Sequence, residues 1–480
     1  MSNSGKTLPG PRGLPILGNI LDLGETLHVS LYQLAQKYGD VYQIRIGSRP
    51  VVVLNGIETI KQALVKQSTD FAGRPDFISS QVMKEINGAS MTFSDYSPAW
   101  KLHRKIAETA LRHFTSGQQS KSVQDKVLFE VQELISTWTN NNSGSTVVDP
   151  SIVLKLSVSN IMCSYIFSRR HKLDDPRLTE FSAMSDDFGA AASSGNTMDF
   201  MPWLKYLPTK TMQNFRRLLL NFKDWFGGYI NQHREAYQED SEKDILDYLI
   251  TVGNKIDEEE LEQLNLTREM LQTTVYDLFG AGFDTVSAVL TWAILLVILH
   301  PEIQRDIQEE IDTVIGKDML PQLTDRGKLP LTEACLYEVL RFSSVVPFTI
   351  PHSTTRETQL NGYLIPKGTV IFVNLYSINQ DPKIWTGPQE FNPRRFLTGD
   401  GRLDPEKTAS ILPFGAGRRR CLGSELGRIE MFLYFTTLMQ KCRLEIPNGE
   451  RPSTSCIPGL AQRPLPYQMR IKLREKGPSN

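Results

Sequence analysis

One cysteine stands in a stretch of this chain that is rich in glycine and arginine. The stretch runs from Phe414 to Gly423 and reads FGAGRRRCLG. Gly415, Gly417 and Gly423 permit positive φ angles, so main-chain N–H groups can point at the sulfur of Cys421 while guanidinium charge favours the thiolate. A lone thiolate suits an oxygen-activating haem iron, because it pushes electron density onto the metal. The alternative is an unreactive cysteine in an ordinary glycine turn.

A second group of polar residues interrupts a long apolar helix pattern. The stretch reads AGFDT from Ala281 to Thr285. Glycine inside a helix costs up to about 1 kcal/mol relative to alanine, and a buried aspartate needs a partner. We therefore expect Gly282 to let the helix widen with a local π-type bulge, and Asp284 and Thr285 to relay protons. A kinked helix with satisfied polar groups is the alternative.

Two further pairs have helical spacing. Glu338 and Arg341 lie three residues apart on a helix predicted over residues 331–342, where they can form an ion pair. Most such pairs are solvated surface pairs. Trp100 and Arg104 lie on one face of another helix and offer an indole donor and a guanidinium to carboxylates. Scattered surface groups are the alternative there.

The elements that must position these residues are mainly helical. Helical periodicity dominates residues 124–312 and returns over 424–442, whereas residues 41–47, 50–54, 359–365 and 369–373 read as strands. The sequence therefore predicts a mainly α fold with small β-sheets.

Composition narrows the class of protein. Of 480 residues, 40% are hydrophobic and 22% charged, which is typical of a globular chain, and the net charge of -1 gives no electrostatic reason to bind nucleic acid. The five cysteines include no C-x-x-C pair, so neither a disulfide framework nor a zinc site is expected. The longest apolar run, residues 286–299, is too short to span a membrane and predicts a buried core helix.

The order Phe-x-x-Gly-x-Arg-x-Cys-x-Gly resembles the haem-binding loop of the cytochromes P450, and the resemblance covers residues 8–473. It implies the P450 fold, with Cys421 as ligand to the iron of haem b and Phe414 and Gly423 as further cofactor contacts. It also implies that Thr285 and Asp284 are catalytic. Val286 departs from the family, since many members carry a second hydroxyl there.

The resemblance gives roles to the remaining charged residues. Arg395 would join Glu338 and Arg341 in a buried structural network, whereas Arg394 replaces a frequent glutamate, which puts a local salt bridge there in doubt. The haem propionates would be held by four residues, namely Trp100, Arg104, Arg419 and His352. Scattered surface cations remain the alternative.

Within the family, residues 278–286 and 347–355 look closest to the vertebrate family-one aryl-hydrocarbon oxidases, and next to steroidogenic hydroxylases. That likeness implies a narrow slot with Phe93 and Phe188 as flat walls. The other lining residues would be Asp277, Gly280, Ala281, Val346, Ile350, Leu460 and Ala461. Plain core packing is the alternative for these side chains.

The implied enzyme is a monooxygenase that inserts one oxygen atom into planar hydrophobic substrates, such as polycyclic aromatics and other xenobiotics, and possible further substrates are steroids and fatty acids. Its electrons would come from NADPH through NADPH–cytochrome P450 reductase, with cytochrome b5 as a second candidate partner. Arg418, Arg420 and Lys441 would offer positive charge to such a partner. A narrow steroid hydroxylase, a haem-thiolate isomerase or lyase, and a non-enzymatic haem sensor are the alternatives.

The beginning of the chain bears on location. Residues 1–6 are short and polar and lead into a proline-rich stretch, residues 8–15, that reads as a stiff linker. We expect residues 1–29 to form a tail and hinge without a membrane anchor, and residues 30–480 a single haem-thiolate catalytic domain. The resemblance implies the cytoplasmic face of the endoplasmic reticulum membrane, with the anchor removed, or else a soluble form. The apolar segment 199–207 would make a peripheral membrane contact, or a packed loop.

Overall fold

A computed structural model gives the fold of the chain and describes residues 6–88, 90–117, 119–139, 145–193, 197–206, 210–238, 242–449 and 451–475. The α-helices are α1 (Leu27–Tyr38), α2 (Ile57–Lys61), α3 (Ile78–Asn87), α4 (Pro98–Thr115), α5 (Gln119–Thr139), α6 (Pro150–Ile166), α7 (Pro176–Ser193), α8 (Thr197–Phe200), α9 (Lys210–Ala236), α10 (Ile245–Lys255), α11 (Glu258–Gln263), α12 (Arg268–Gln272), α13 (Thr274–Leu299), α14 (Pro301–Val314), α15 (Pro330–Ser343), α16 (Tyr376–Asn379), α17 (Pro405–Thr408) and α18 (Ser424–Lys441). The strands are β1 (Val41–Ile46), β2 (Arg49–Leu54), β3 (Thr146–Val148), β4 (His352–Ser353), β5 (Thr358–Leu360), β6 (Tyr363–Ile365), β7 (Val370–Val373), β8 (Cys442–Glu445), β9 (Cys456–Ile457), β10 (Arg463–Pro464) and β11 (Met469–Leu473).

Helix α13 runs through the centre of the largest hydrophobic core. Every residue from Val286 to Ile298 is buried, and the helix packs against α6, α15 and α18. In the described part of the chain, Arg268–Leu299 is the one stretch long and apolar enough to cross a membrane, yet 78% of its apolar window lies inside the protein. The prediction of a buried core helix is therefore confirmed.

The strands form small sheets around this helical body. The largest has the order β1-β2-β7-β4, in which β2 and β7 are parallel and Val52 faces Ile371. Strands β3, β11 and β8 form a second sheet, and β5-β6 and β9-β10 are two-stranded. The predicted fold class, mainly α with small sheets, is confirmed.

One predicted strand is two strands. Residues 359–365 were expected to be continuous, but β5 and β6 form a hairpin in which Leu360 pairs with Tyr363. Asn361 and Gly362 make the turn with φ angles of 50° and 83°. An Asn-Gly pair is the usual choice for a turn that needs two positive φ angles, so the sequence carried this signal.

The proline-rich stretch is attached to the body of the protein. The Gln43 N–H donates to the Pro9 carbonyl at 2.8 Å, and the Asn19 N–H donates to the Arg45 carbonyl at 2.6 Å. Over its described residues this stretch, which was expected to be a stiff linker, therefore packs on β1. The division into residues 1–29 and 30–480 stays a prediction.

Candidate active site

The cysteine loop is shaped by two glycines and ends where α18 begins. Gly415 and Gly417 have φ angles of 67° and 70°, as expected. A Cβ on Gly417 would lie 1.7 Å from the Leu64 carbonyl oxygen, so the loop packs directly on backbone there. The Cys421 N–H donates to the Phe414 carbonyl at 2.8 Å and closes the loop.

Gly423 differs from the expectation. It precedes α18 with a φ of -85°, which other residues adopt easily. A Cβ there would meet no described atom within 4 Å. A positive φ is therefore not the reason for this glycine.

These two glycines give a matched test of the loop. We expect Gly417→Ala to displace the loop and to weaken haem retention at least tenfold, because the methyl group meets backbone and the φ is left-handed. Gly423→Ala should retain haem within about twofold, since its backbone conformation is unstrained. Haem transfer to apomyoglobin measures both variants. Equal retention would show that the loop tolerates the displacement.

The Cys421 side chain is accessible to solvent, although protein atoms surround most of it. It is solvent-exposed by area, while burial raises the pKa of its thiol, with the Gly423 backbone N–H and the Arg104 charge acting in the opposite direction. Both statements hold for a side chain at the bottom of a recess, where water reaches the sulfur but protein surrounds it. A ligand that enters this recess would meet the sulfur directly.

The middle of α13 opens onto the same region. Ala281 is exposed and Thr285 half-buried, although Phe283 and Val286 beside them are buried. The cysteine loop and α13 meet at Gly427, because a Cβ on this residue would lie 3.8 Å from both Phe414 and Val286. An accessible surface in the middle of a core helix, next to the cysteine loop, is available to a ligand that also contacts this loop.

The expected widening of α13 is wrong. The helix is continuous from Thr274 to Leu299 as an α-helix. The Thr285 hydroxyl donates to the Ala281 carbonyl at 2.8 Å, so the side chain bonds within its own helix. Gly282 is explained by packing instead. A Cβ there would lie 2.6 Å from the Met162 side chain of α6, so the glycine lets two helices approach.

Asp284 has a cationic partner that no sequence pattern reveals. Its carboxylate forms an ion pair with Arg463 from β10, which also contacts Asp186 at 2.7 Å. The buried Lys155 ammonium reaches Asp186 at 2.7 Å as well. Burial raises the pKa of Asp284, and the charges of Arg463 and Lys155 oppose that shift. The network connects α13 to the surface, because the Asp186 side chain is 53% exposed.

Cationic side chains gather on the other side of the cysteine loop. The Arg419 guanidinium stacks 4.0 Å from the centre of the Trp100 ring and donates to the carbonyls of Ala72 and Ser94, both at 2.8 Å. Arg104 donates to the Arg420 carbonyl at 2.8 Å and pairs with Glu108.

Two of the expected propionate donors are engaged with backbone. The Trp100 indole N–H donates to the Met91 carbonyl at 2.8 Å. The buried His352 imidazole contacts the Phe71 carbonyl through Nδ1 at 2.6 Å, and burial lowers the pKa of His352 to about 3. The Trp100 ring also serves as a platform for Arg419, and the propionate contacts of Trp100 and His352 stay predictions.

Arg74 also belongs to this cluster, although no sequence motif points to it. It donates to the carbonyls of Thr92, Ile350 and Pro351 at 2.9–3.1 Å. Burial lowers its pKa, and the charges of Arg419 and Arg104 lower it further. Burial likewise lowers the pKa of Arg419 to about 10. Mutually repelling, partly desolvated cations are stabilised by an anion, which fits the two carboxylates of haem.

The predicted network around Glu338 is present. The Glu338 and Arg341 side chains are both 0% exposed and paired at 2.7 Å, and Arg395 reaches Glu338 at 3.1 Å. The Arg341 guanidinium also donates to the carbonyls of Asn379 and Pro388 at 2.8 Å. Arg394 forms a salt bridge of 2.6 Å with Asp306 on α14, which settles the doubt about that position.

The predicted slot residues fall into two groups. Phe93 and Phe188 are half-buried in one cluster around Phe215, and Phe188 stacks on Phe215 with ring centres 6.3 Å apart. A Cβ added to Gly280 would meet no described atom within 4 Å, and Ala281 beside it is exposed.

The remaining slot residues lie elsewhere around α13. Val346 and Ala461 lie on two segments that are joined by a backbone bond. The Gln462 N–H, next to Ala461, donates to the carbonyl of Val345, next to Val346, at 2.7 Å. Leu460 is half-buried beside them. Ile350 meets the cation cluster through its carbonyl. Asp277 differs from the expectation, since its carboxylate is hydrogen-bonded to residues 90–92.

A mainly helical fold with an accessible cysteine, an accessible stretch of core helix and a cluster of cations fits a haem-thiolate protein. The sequence profile of the family Cytochrome P450 matches residues 8–471. The chain belongs to this family. It is therefore a haem-thiolate monooxygenase with iron protoporphyrin IX, and membership implies a redox partner and a hydrophobic substrate.

Relatives resemble the chain over most of its length. It is 41% identical to Cytochrome P450 1A1 of Rattus norvegicus, over 99% of this chain and 92% of that protein. Identity to the protein of the same name is 41% in Limanda limanda, over 98% of this chain and 91% of that one. Identity to the Homo sapiens protein of that name is 40%, over 95% of this chain and 90% of that protein.

Proposed function

We propose that this monooxygenase oxidises planar hydrophobic molecules, with polycyclic aromatics as the first class to test. The observation that supports this is the accessible surface of Gly280 and Ala281 on α13, together with Phe93 and Phe188 in one hydrophobic cluster. Aromatic rings prefer offset stacking on flat ligands. The likeness to the proteins named Cytochrome P450 1A1 points in the same direction.

The test is NADPH-dependent turnover of pyrene and of testosterone with a flavoprotein reductase. Preferential oxidation of pyrene is expected. Preferential oxidation of testosterone would favour the steroid hydroxylase, which is the second candidate. Rearrangement of an organic peroxide without reductase would favour an isomerase or lyase.

The residues of the chain would hold the cofactor from two sides. Cys421 would bind the iron as a thiolate, with Phe414 in the same loop and the Gly423 N–H next to the sulfur. Arg74, Arg104 and Arg419 would bind the propionates, with the Trp100 and His352 side chains supporting the cluster. The bound haem supplies a redox-active iron that activates dioxygen.

Asp284 and Thr285 would manage protons on the α13 side. The Thr285 hydroxyl now donates to a helix carbonyl, and a rotation of its side chain would turn the hydroxyl to the recess. Asp284 would exchange protons with water near the exposed Asp186, once its carboxylate leaves Arg463. Val286 is buried and adds no hydroxyl to the relay.

Removal of the Thr285 hydroxyl should uncouple electron use from product formation. We expect Thr285→Ala to load haem normally, to form at least tenfold less product per NADPH consumed and to release more peroxide. The reason is that positioned proton donors contribute about 10²–10⁴-fold to the rate of the catalysed step. Thr291→Val is the control, because Thr291 makes the same i to i−4 bond at 2.7 Å deep in the core. Peroxide release at the wild-type level would contradict the role of Thr285.

Electrons would arrive on the cysteine side of the protein. The side chains of Arg418 and Arg420 are exposed there, which suits an acidic surface on NADPH–cytochrome P450 reductase or on cytochrome b5. Lys441, at the far end of α18 from the cysteine loop, contacts the Lys317 carbonyl at 2.7 Å and would add positive charge farther from the cysteine. Electron transfer that slows with rising salt would support this docking.

A peripheral membrane contact would lie near β1 and β2. The exposed apolar side chains include Ile16 (72%), Leu21 (73%) and Trp203 (49%). Their segments are joined by backbone bonds, because Gly47 donates to Leu17 and Ser48 to Phe200. Leu207, the end of the predicted contact, lies outside the described residues. We propose that this face rests on the cytoplasmic side of the endoplasmic reticulum membrane.

A further inference from the structure

The Ser90–Ser94 segment, between α3 and α4, carries Phe93 and is held on two sides. On the side of the cation cluster, its carbonyls accept hydrogen bonds from side chains. Arg74 donates to Thr92 at 2.9 Å, and Arg419 donates to Ser94 at 2.8 Å. This side places the segment beside the groups that would bind the cofactor.

Asp277, on the first turn of α13, holds the opposite side. Its carboxylate accepts from the Ser90 hydroxyl at 2.8 Å, from the Met91 N–H at 2.7 Å and from the Thr92 N–H at 3.3 Å. Hydrogen bonds to a charged acceptor are roughly twice as strong as neutral ones. A single side chain of the central helix thus fixes three consecutive residues of the segment.

The bonds to Asp277 leave its carboxylate little capacity for a ligand. Both oxygens already accept hydrogen bonds, and the residue after Thr92 is Phe93. The position of the Phe93 ring therefore depends on the backbone that Asp277 holds. A shift of this backbone would move the Phe93 ring within its hydrophobic cluster.

We infer that Asp277 is a positioning residue for substrate shape, which acts by fixing the Ser90–Ser94 segment and with it the Phe93 ring. The inference rests on the proposed function, because shape selection matters for a flat substrate. An asparagine would weaken this hold. Its amide oxygen can still accept from the Met91 and Thr92 N–H groups, but the negative charge is lost and an N–H2 group replaces the oxygen that accepts from the Ser90 hydroxyl. Loss of the Ser90 hydroxyl should have a similar, smaller effect.

The experiment compares haem-loaded wild type with Asp277→Asn, Ser90→Ala and a control, Asp149→Asn. Asp149 accepts from the Ser151 N–H at 2.8 Å and from the Ser151 hydroxyl at 2.5 Å, far along the chain at the start of α6. Two quantities are measured. One is hydrogen exchange of the peptide that contains the Ser90–Ser94 segment, and the other is the ratio of spectral dissociation constants for pyrene and for triptycene, a rigid non-planar hydrocarbon.

We expect Asp277→Asn to speed exchange of the segment about tenfold and to lower the preference for pyrene about tenfold, with haem loading unchanged. Ser90→Ala should move both quantities the same way by less, and Asp149→Asn should move neither. Unchanged exchange, or faster exchange with the preference intact, would overturn the inference. A lost preference with unchanged exchange would also overturn it, because Asp277 would then contact the ligand directly.

The same data separate this inference from the proposed function. If the wild type has no preference for pyrene over triptycene, the planar substrate class is wrong and the shape role of Asp277 is wrong with it. Haem loading and NADPH-dependent turnover of other substrates would still stand. In that case, hydrogen exchange of the Ser90–Ser94 segment alone tests whether Asp277 holds this segment.

Discussion

Cys421→His should load haem and lose the red-shifted Soret band of the carbon monoxide complex after reduction. The band requires a thiolate ligand to the haem iron, and an imidazole in the same loop would not supply the same electron density. We expect NADPH-dependent monooxygenation to fall at least a hundredfold, because activation of dioxygen relies on the thiolate. The measurement is the carbon monoxide difference spectrum together with turnover.

Cys456→Ser is the matched control for this prediction. Cys456 is half-buried and its Sγ lies 3.6 Å from the Gln462 side chain, on a strand outside the cysteine loop. This variant should keep both the band and the turnover. A wild-type band in Cys421→His would mean that another group binds the iron, and the assignment of Cys421 would be wrong.

Glu338→Gln should destabilise the protein by about 3–5 kcal/mol, which is typical of removing one partner from a buried ion pair. The neutral amide leaves the Arg341 guanidinium, 0% exposed, without a charged partner and weakens the hold on Arg395. The Asn392 N–H, which donates to Glu338 at 2.9 Å, also loses a charged acceptor. Denaturant unfolding and haem content of the purified variant measure the effect.

Arg394→Ala is the control for this loss of stability, because Arg394 is next to Arg395 in the chain but forms an exposed salt bridge. Its salt bridge with Asp306 is solvent-exposed, since the Arg394 side chain is 62% exposed. Exposed pairs contribute about 0–1 kcal/mol, so this variant should stay close to wild type. A loss of stability in Glu338→Gln no larger than that in Arg394→Ala would contradict a structural role for the buried network.

The sequence predicted the elements that local patterns specify. The apolar run of α13, the i and i+3 spacing of Glu338 and Arg341 and the positive φ angles of Gly415 and Gly417 are all local signals, and the structure agrees with them. The family resemblance added Arg395, whose contact with Glu338 spans 57 residues. Helical periodicity alone could not have found that partner.

The missed residues are those whose roles depend on distant segments. Arg463 lies 179 residues after Asp284, and Arg74 reaches carbonyls more than 270 residues away. A buried Asp284 implied some cation, but not which one. Gly282 was assigned to a wider helix because the sequence does not show that Met162 fills the space beside it. The engagement of Asp277 with residues 90–92 was hidden for the same reason.

The parallel pairing of β2 with β7 has a consequence for biosynthesis. The paired residues of these strands, such as Val51 and Val370, are about 320 positions apart, so the largest sheet has to wait until most of the chain has left the ribosome. The segments that surround Cys421 are equally scattered, from Leu64 and Arg104 to the loop itself. Contacts between such distant segments form slowly, and a nascent chain meanwhile exposes the apolar surface of α13. Chaperone supply and haem availability late in synthesis would therefore control the yield of active protein.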